Sequence, residues 1–209
     1  MSQAGMLEFN LVKEGGEPIV FSLSKVQKYI VELYWESQHD LDAHAIALKN
    51  HKVLSGEGVL STYNGGLVQV DNPTVNHVSG GKEAFRNKAS SLIHQGDRRS
   101  GISANSRLPD EVLIVDLPKL VSGENEVAFF VTNHPPRSAK FREVNDAKIV
   151  IKDDSGAVLL TANLTHDFDD FDMVQMGSLV LNEDTQGWEF NPQAAGINGT
   201  FNDIMRLLQ

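Results

Sequence analysis

Apolar residues in this chain recur mostly with a period of two, in short runs cut by turn residues, which is the signature of strands rather than helices. Leu7–Lys13 alternates weakly and ends at the turn Glu14-Gly15-Gly16-Glu17-Pro18. Ile19–Leu23 and Tyr29–Trp35 (YIVELYW) are rich in β-branched and aromatic side chains and predict strands. A further strand is expected from Asp40 to about Asn50, and a short one over Val59–Tyr63. Glu111–Leu117 (EVLIVDL) and Glu126–Thr132 (EVAFFVT) are nearly continuous in apolar character, so they predict central strands buried on both faces. Phe141–Asn145 suits one helical turn. Ala147–Lys152 and Ala157–Asn163 read as a hairpin closed by Asp153-Asp154-Ser155-Gly156, and Met173–Asn182 with Gly187–Phe190 as a last hairpin. Thr200–Leu208 has helical periodicity, with Thr200 as N-cap and Ile204, Leu207 and Leu208 on one face. Many short strands and one terminal helix predict an all-β fold, a β-sandwich of two sheets with short helices.

The 209 residues suit one domain, with residues 1–18 as an N-terminal extension. Residues 65–94 are the least regular stretch and read as an enlarged loop. A hydrophobic share of 41% is enough for a sizeable core. The charge balance changes the picture: 18 basic against 28 acidic residues gives −10, which suits cations or plain solubility and disfavours nucleic acid. With no cysteine, disulfides, thiolate metal sites and cysteine nucleophiles are excluded. The first eighteen residues lack the basic start and apolar core of a signal peptide, and apolar runs such as VLIV are far shorter than a membrane helix, so a cytoplasmic protein with no membrane span is expected.

The candidate chemistry is acidic. Gln95–Glu111 (QGDRRSGISANSRLPDE) carries Asp97, Asp110 and Glu111, and His39–Ala43 (HDLDA) carries Asp40 and Asp42. Alternate residues of a strand share a side, so Asp40 and Asp42 point together, roughly 7 Å apart along the chain. Carboxylates gathered by a fold repel one another unless a cation neutralises them, and calcium takes six to eight oxygens from such groups. Asn105, Ser100 and Ser103 are neutral oxygen donors in the same loop, and Gly96 and Gly101 permit positive φ and close backbone approach. The spacing does not fit an EF-hand. Two solvated carboxylates at a strand end remain the alternative for Asp40 and Asp42. The acidic run His166–Asp172 reads either as a second cation site or as a turn anchored by Phe168 and Phe171.

Taken in order, Asp40-Leu41-Asp42-Ala43, Tyr63-Asn64, Gly96-Asp97, Asp110-Glu111, Val115-Asp116-Leu117 and Phe130-Val131-Thr132-Asn133-His134 resemble the TerD domain of tellurium-resistance and stress-response proteins. The resemblance continues through Phe141, Val144, Ala147, Ile149, Asp153 to Leu160, Gly177 to Leu179, Trp188-Glu189-Phe190 and Gly196, spanning residues 20–209. It implies a cytoplasmic bacterial β-sandwich that binds calcium, typically two ions, without catalytic activity, and works with another protein of a stress-response complex. The implied ligands are Asp40, Asp42, Asp97, Asp110 and Glu111, with Asn64 and loop carbonyls near Gly101.

This chain departs from the family pattern in its long 98–109 loop, which implies one ion, weak binding or none, and in its enlarged 65–94 stretch, which marks a divergent member with a partner of its own. Arg98, Arg99 and Arg107 in the first of these oppose a bound cation by roughly 1 kcal/mol or more. One alternative is therefore a metal-independent interaction module in which these arginines replace the ions. Another is a metal-dependent hydrolase built on Asp97, Asp110, Glu111 and His134. Against enzymes in general, the seven histidines form no H-E-x-x-H or H-x-x-x-H pattern, and no G-x-S-x-G or phosphate loop is present.

Overall fold

A computed structural model describes residues 7–10, 12–13, 21–23, 27–64, 66–71, 83–101, 108–121, 123–134, 140–164 and 168–209. Strands are numbered in chain order. One sheet runs β1 (Leu7–Asn10), β13 (Val158–Asn163), β12 (Asn145–Asp153), β4 (Lys28–Glu36), β10 (Glu111–Asp116), β9 (Leu92–His94), β8 (Phe85–Arg86) and β7 (Val68–Gln69). The other runs β2 (Val12–Lys13), β16 (Gln193–Ile197), β14 (Met173–Asn182), β11 (Glu126–Asn133), β5 (Leu41–Leu48) and β6 (Val59–Leu60), with β15 (Gly187–Asn191) also on β14 and β3 (Phe21–Leu23) beside it. Pairing is antiparallel except where β1 meets β13 and β2 meets β16. This is the two-sheet sandwich with a C-terminal helix that the strand pattern predicts.

The main core lies between the sheets. Val31 and Leu33 of β4, Leu113 and Val115 of β10, and Ile149 and Ile151 of β12 face Ala43 and Ala45 of β5 and Phe129 and Val131 of β11. The opposite phase of β5 and β11 is buried too, because the helix α1 (Phe201–Leu207) covers Ile46, Leu48, Ala128 and Phe130. That second layer explains why β11 reads as a nearly unbroken apolar run. Asp203 accepts hydrogen bonds from the Thr200 backbone N–H (2.7 Å) and Oγ1 (2.8 Å), fixing the start of α1. The buried stripe is Phe201, Ile204, Met205 and Leu208. Leu207, expected on that face, is 70% exposed: at about 100° per residue it lies on the flank of the stripe away from Met205.

Other differences are local. The strand expected over Val59–Tyr63 stops at Leu60, where Asn64 N–H donates to the Ser61 carbonyl and closes a turn. Part of the 65–94 stretch is sheet: β8 and β9 pair with each other, and β9 pairs with β10. Residues 72–82 lie outside the described residues, as do His166 and Asp167 of the acidic run. Within that run Phe168 is buried and its ring meets Phe171 at 6.4 Å, which makes it an anchored turn.

Candidate cation site

Every segment of the site meets at one end of the sandwich: the end of β4, the start of β5, the turn after β6, the loop after β9, the start of β10 and the end of β11. The register of β5 against β11 sets Thr132 opposite Asp42 and Asn133 opposite Leu41. His134 N–H then donates to the Asp40 carbonyl at 2.9 Å. Asp42 shares the outward phase of Ile46 and Leu48, just past the helix-covered patch, and Asp40 lies beside it. Asp97 arrives from the loop after β9. Asp40, Asp42 and Asp97 each bring one carboxylate oxygen within 4.8 Å of the others.

Asp42 and Asp97 are buried and Asp40 is half-buried. Asp42 is buried, and its Oδ1 accepts from Thr62 Oγ1 (2.9 Å). Its Oδ2 accepts from the Tyr63 hydroxyl (2.6 Å), and His134 Nδ1 lies 3.1 Å from the same oxygen. Burial, then Asp42 and Asp97, push the Asp40 carboxyl up from 3.8 to about 6. Asp40 Oδ1 is buried and has no hydrogen-bond partner among the described residues. A charged acceptor in that condition wants a cation, and an all-oxygen carboxylate set is the chemistry of a hard ion. Asp40, Asp42 and Asp97 therefore form a cluster that could hold a metal ion.

The other predicted ligands make contacts of their own, and the buried Glu111 Oε1 has no hydrogen-bond partner among the described residues. Glu111 is fully buried, and its Oε2 accepts from Ala43 N–H at 2.6 Å, tying β10 to β5. Burial and the neighbouring Asp42 and Asp97 raise its carboxyl well above the usual range. Gly96 N–H donates to His94 Nδ1 (3.3 Å), and His94 Nε2 faces Glu111 Oε2 at 3.4 Å. Asp110 Oδ2 accepts from Trp35 N–H (3.1 Å), and Arg98 approaches Asp110 Oδ1 at 3.8 Å. Asn64 staples its own turn: Nδ2 donates to the Val59 carbonyl (2.9 Å) and Oδ1 accepts from Gly66 N–H (3.1 Å).

Gly101 has no positive φ, unlike Gly96 (φ 121°). It is needed for close approach, since a Cβ there would overlap the Trp35 carbonyl and indole. Its N–H donates to the Ser37 carbonyl at 3.0 Å. Ser103, Asn105 and Arg107 lie outside the described residues. Sequence reasoning missed the contacts of Thr62, Tyr63 and His134 with Asp42. The usable signal was pairing: once β11 is set against β5, the residues after Thr132 must meet the start of β5.

The family model of the TerD domain matches residues 8–207. The chain belongs to the TerD domain family. Two solved structures share this TerD fold. A protein of unknown function, SAV2460, superposes with a TM-score of 0.65 at 15% identity, over 88% of this chain and 96% of its own. A homologue of the telluride resistance protein TerD, SCO6318 from Streptomyces coelicolor, gives a TM-score of 0.64 at 15% identity, over 86% of this chain and 95% of its own. Comparison with curated proteins gives no match. Among the described residues of this TerD domain, no helix is long and apolar enough to cross a membrane.

Proposed function

We propose that this TerD domain is a calcium-binding, non-catalytic module of a tellurite-resistance-like bacterial stress response, acting in the cytoplasm as a binding or scaffold protein for another protein of that system. The observation that carries the reading is the convergence of Asp40, Asp42 and Asp97 within 4.8 Å, fed by two segments more than fifty residues apart in the chain. A bound ion would neutralise their repulsion and take up the buried Asp40 Oδ1. Asp110 and Glu111 each anchor a backbone N–H group, a structural use of both acids.

Calorimetric titration with calcium, with magnesium in parallel, tests this. Heat with calcium and a rise in melting temperature are expected in the wild type, and both vanish in Asp97→Asn. No heat and no shift at millimolar calcium would end the metal reading, because a ligand of the folded state alone must stabilise it.

One observation favours a second reading. Arg98 pairs with Asp110 at 3.8 Å, and Arg99 acts on Asp40 so as to lower its pKa, as in a metal-independent module where arginines replace ions. That reading requires Arg98→Ala with Arg99→Ala to create or greatly strengthen calcium binding.

A further inference from the structure

The chain carries two Asn-Gly pairs, Asn64-Gly65 and Asn198-Gly199. In such a pair the glycine nitrogen can close a succinimide ring on the preceding side-chain amide, because no side chain hinders its approach. The fold treats the two asparagines in opposite ways. Asn64 is clamped: Nδ2 donates to the carbonyls of Gly56 (3.3 Å) and Val59 (2.9 Å), and Oδ1 accepts from Gly66 N–H (3.1 Å). Asn198 lies exposed in the junction between β16 and α1, where its amide and the next N–H meet opposite charges. Lys140 Nζ donates to Asn198 Oδ1 at 2.9 Å, and a lysine can meet only the oxygen of an amide. Gly199 N–H donates to Asp172 Oδ2 at 3.2 Å. Lys140 also pairs with Asp172 Oδ1 at 2.7 Å, so one ammonium and one carboxylate bracket a single Asn-Gly step.

Ring closure moves charge in a defined direction. The attacking nitrogen must lose a proton, and negative charge gathers on the amide oxygen as the tetrahedral centre forms. A carboxylate on that N–H and an ammonium on that oxygen are the base and the oxyanion partner that the step needs. The glycine is also required by the fold. Its φ is 147°, and a Cβ there would stand 2.7 Å from Oδ2 of Asp203, the carboxylate that fixes the start of α1. An unhindered nitrogen is therefore built into the junction. Asn198 and Gly199 are both exposed, so water reaches the ring once it has formed.

We propose that Asn198 is a self-modifying site, deamidated with the help of its own neighbours. The Gly199 nitrogen bonds to Asn198 Cγ as its proton passes to Asp172. The Cγ–Nδ2 bond then breaks, and the amide nitrogen takes up that proton and leaves as ammonia. Water opens the succinimide at either carbonyl, leaving aspartate or isoaspartate. Both products put a new carboxylate beside Lys140 and Asp172, and isoaspartate also lengthens the main chain by a methylene just before α1. Asp172 N–H donates to the Ile197 carbonyl (3.2 Å), and its carbonyl accepts from Asn133 N–H (3.1 Å), so the modification strains a junction that joins β16 and α1 to the end of β11. The inference goes beyond the calcium reading, and no ion takes part in it.

The full chain is incubated at neutral pH in water enriched in heavy oxygen, once folded and once in guanidinium chloride. Mass spectrometry of the digested chain follows the peptides that hold Asn64 and Asn198. The unfolded chain gives the rate of each pair without folded neighbours. Folding is expected to speed Asn198 by about tenfold or more and to slow Asn64, with heavy oxygen incorporated at Asn198. Asp172→Asn keeps an oxygen for the Gly199 N–H and removes the base, while Lys140→Met removes the charge from the amide oxygen. Each should bring Asn198 down to its unfolded rate or below, with Asn64 still slow as the sign that the variant is folded. A rate at Asn198 no higher in the folded chain than in the unfolded one would overturn the proposal. So would an unchanged rate in both variants, or deamidation of Asn64 in the folded chain as fast as that of Asn198.

Discussion

Asp42 is held by Thr62, Tyr63 and His134 on three sides, so its carboxylate is aimed before any ion arrives. Replacing it with Asn keeps the shape and removes the charge that the ion needs. Asp42→Asn is therefore expected to lose calcium affinity by at least about tenfold, read by calorimetry, while the fold survives by circular dichroism. Protons compete for the same oxygens. Because the Asp40 carboxyl is raised to about 6, calcium affinity should fall as pH drops through that value, well above the range where an ordinary aspartate would respond. Arg99 acts in the opposite sense, as a positive charge near Asp40. Arg99→Ala should strengthen calcium binding by a few-fold, and more at low salt, since the effect is screened. An affinity that is unchanged across salt concentrations would remove Arg99 from the account.

At the scale of the element, β5 matters most because both its phases are used. Ala43, Ala45 and Ala47 face the main core, while Ile46 and Leu48 lie under α1 and Asp42 and His44 continue that phase to the site. Truncating Ile204 at the helix contact should cost roughly 2–5 kcal/mol, measured by denaturant unfolding, as for other buried aliphatic groups. Gly101→Ala should be destabilising too, by roughly 1–3 kcal/mol, because the added methyl collides with Trp35 and displaces the loop that carries Asp97. How legible this was differs by element. The strong strands β4, β10, β11 and β12 were readable because short apolar runs rich in β-branched and aromatic residues, bounded by turn residues, leave few alternatives. Two- and three-residue strands such as β8 and β9 carry too little periodicity, and tertiary pairing alone makes them sheet. Asp40 and Asp42 were legible as acids at the start of a strand, and Asp97 as an acid of the polar loop Gln95–Glu111. The separation of roles was not: nothing in the residue type tells that Glu111 would bind Ala43 N–H and Asp110 Trp35 N–H.

The whole molecule carries a formal charge of −10, and its densest buried acid group is gathered at one end. In the chelated protein that group opposes folding as it ionises. Asp40 binds its proton up to about pH 6 when folded, against 3.8 for its ordinary value, and Glu111 is shifted in the same direction. A raised carboxyl holds its proton in the folded state after the unfolded chain has released it. Its stabilising contribution is therefore complete below the ordinary value and is lost as pH rises through the raised one. On the proposed reading calcium reverses the dependence, because it would bind the ionised carboxylates that the proton otherwise occupies. At about a hundredfold excess over its dissociation constant, calcium adds roughly 2.7 kcal/mol to stability. The melting temperature of the chelated protein should then decline between about pH 4 and pH 7, while the calcium-saturated curve stays level or rises, so that the two separate with increasing pH. Curves that run parallel across this range would mean that the carboxylates titrate without reference to the ion, and that the acidic end of the sandwich is a surface and not a site.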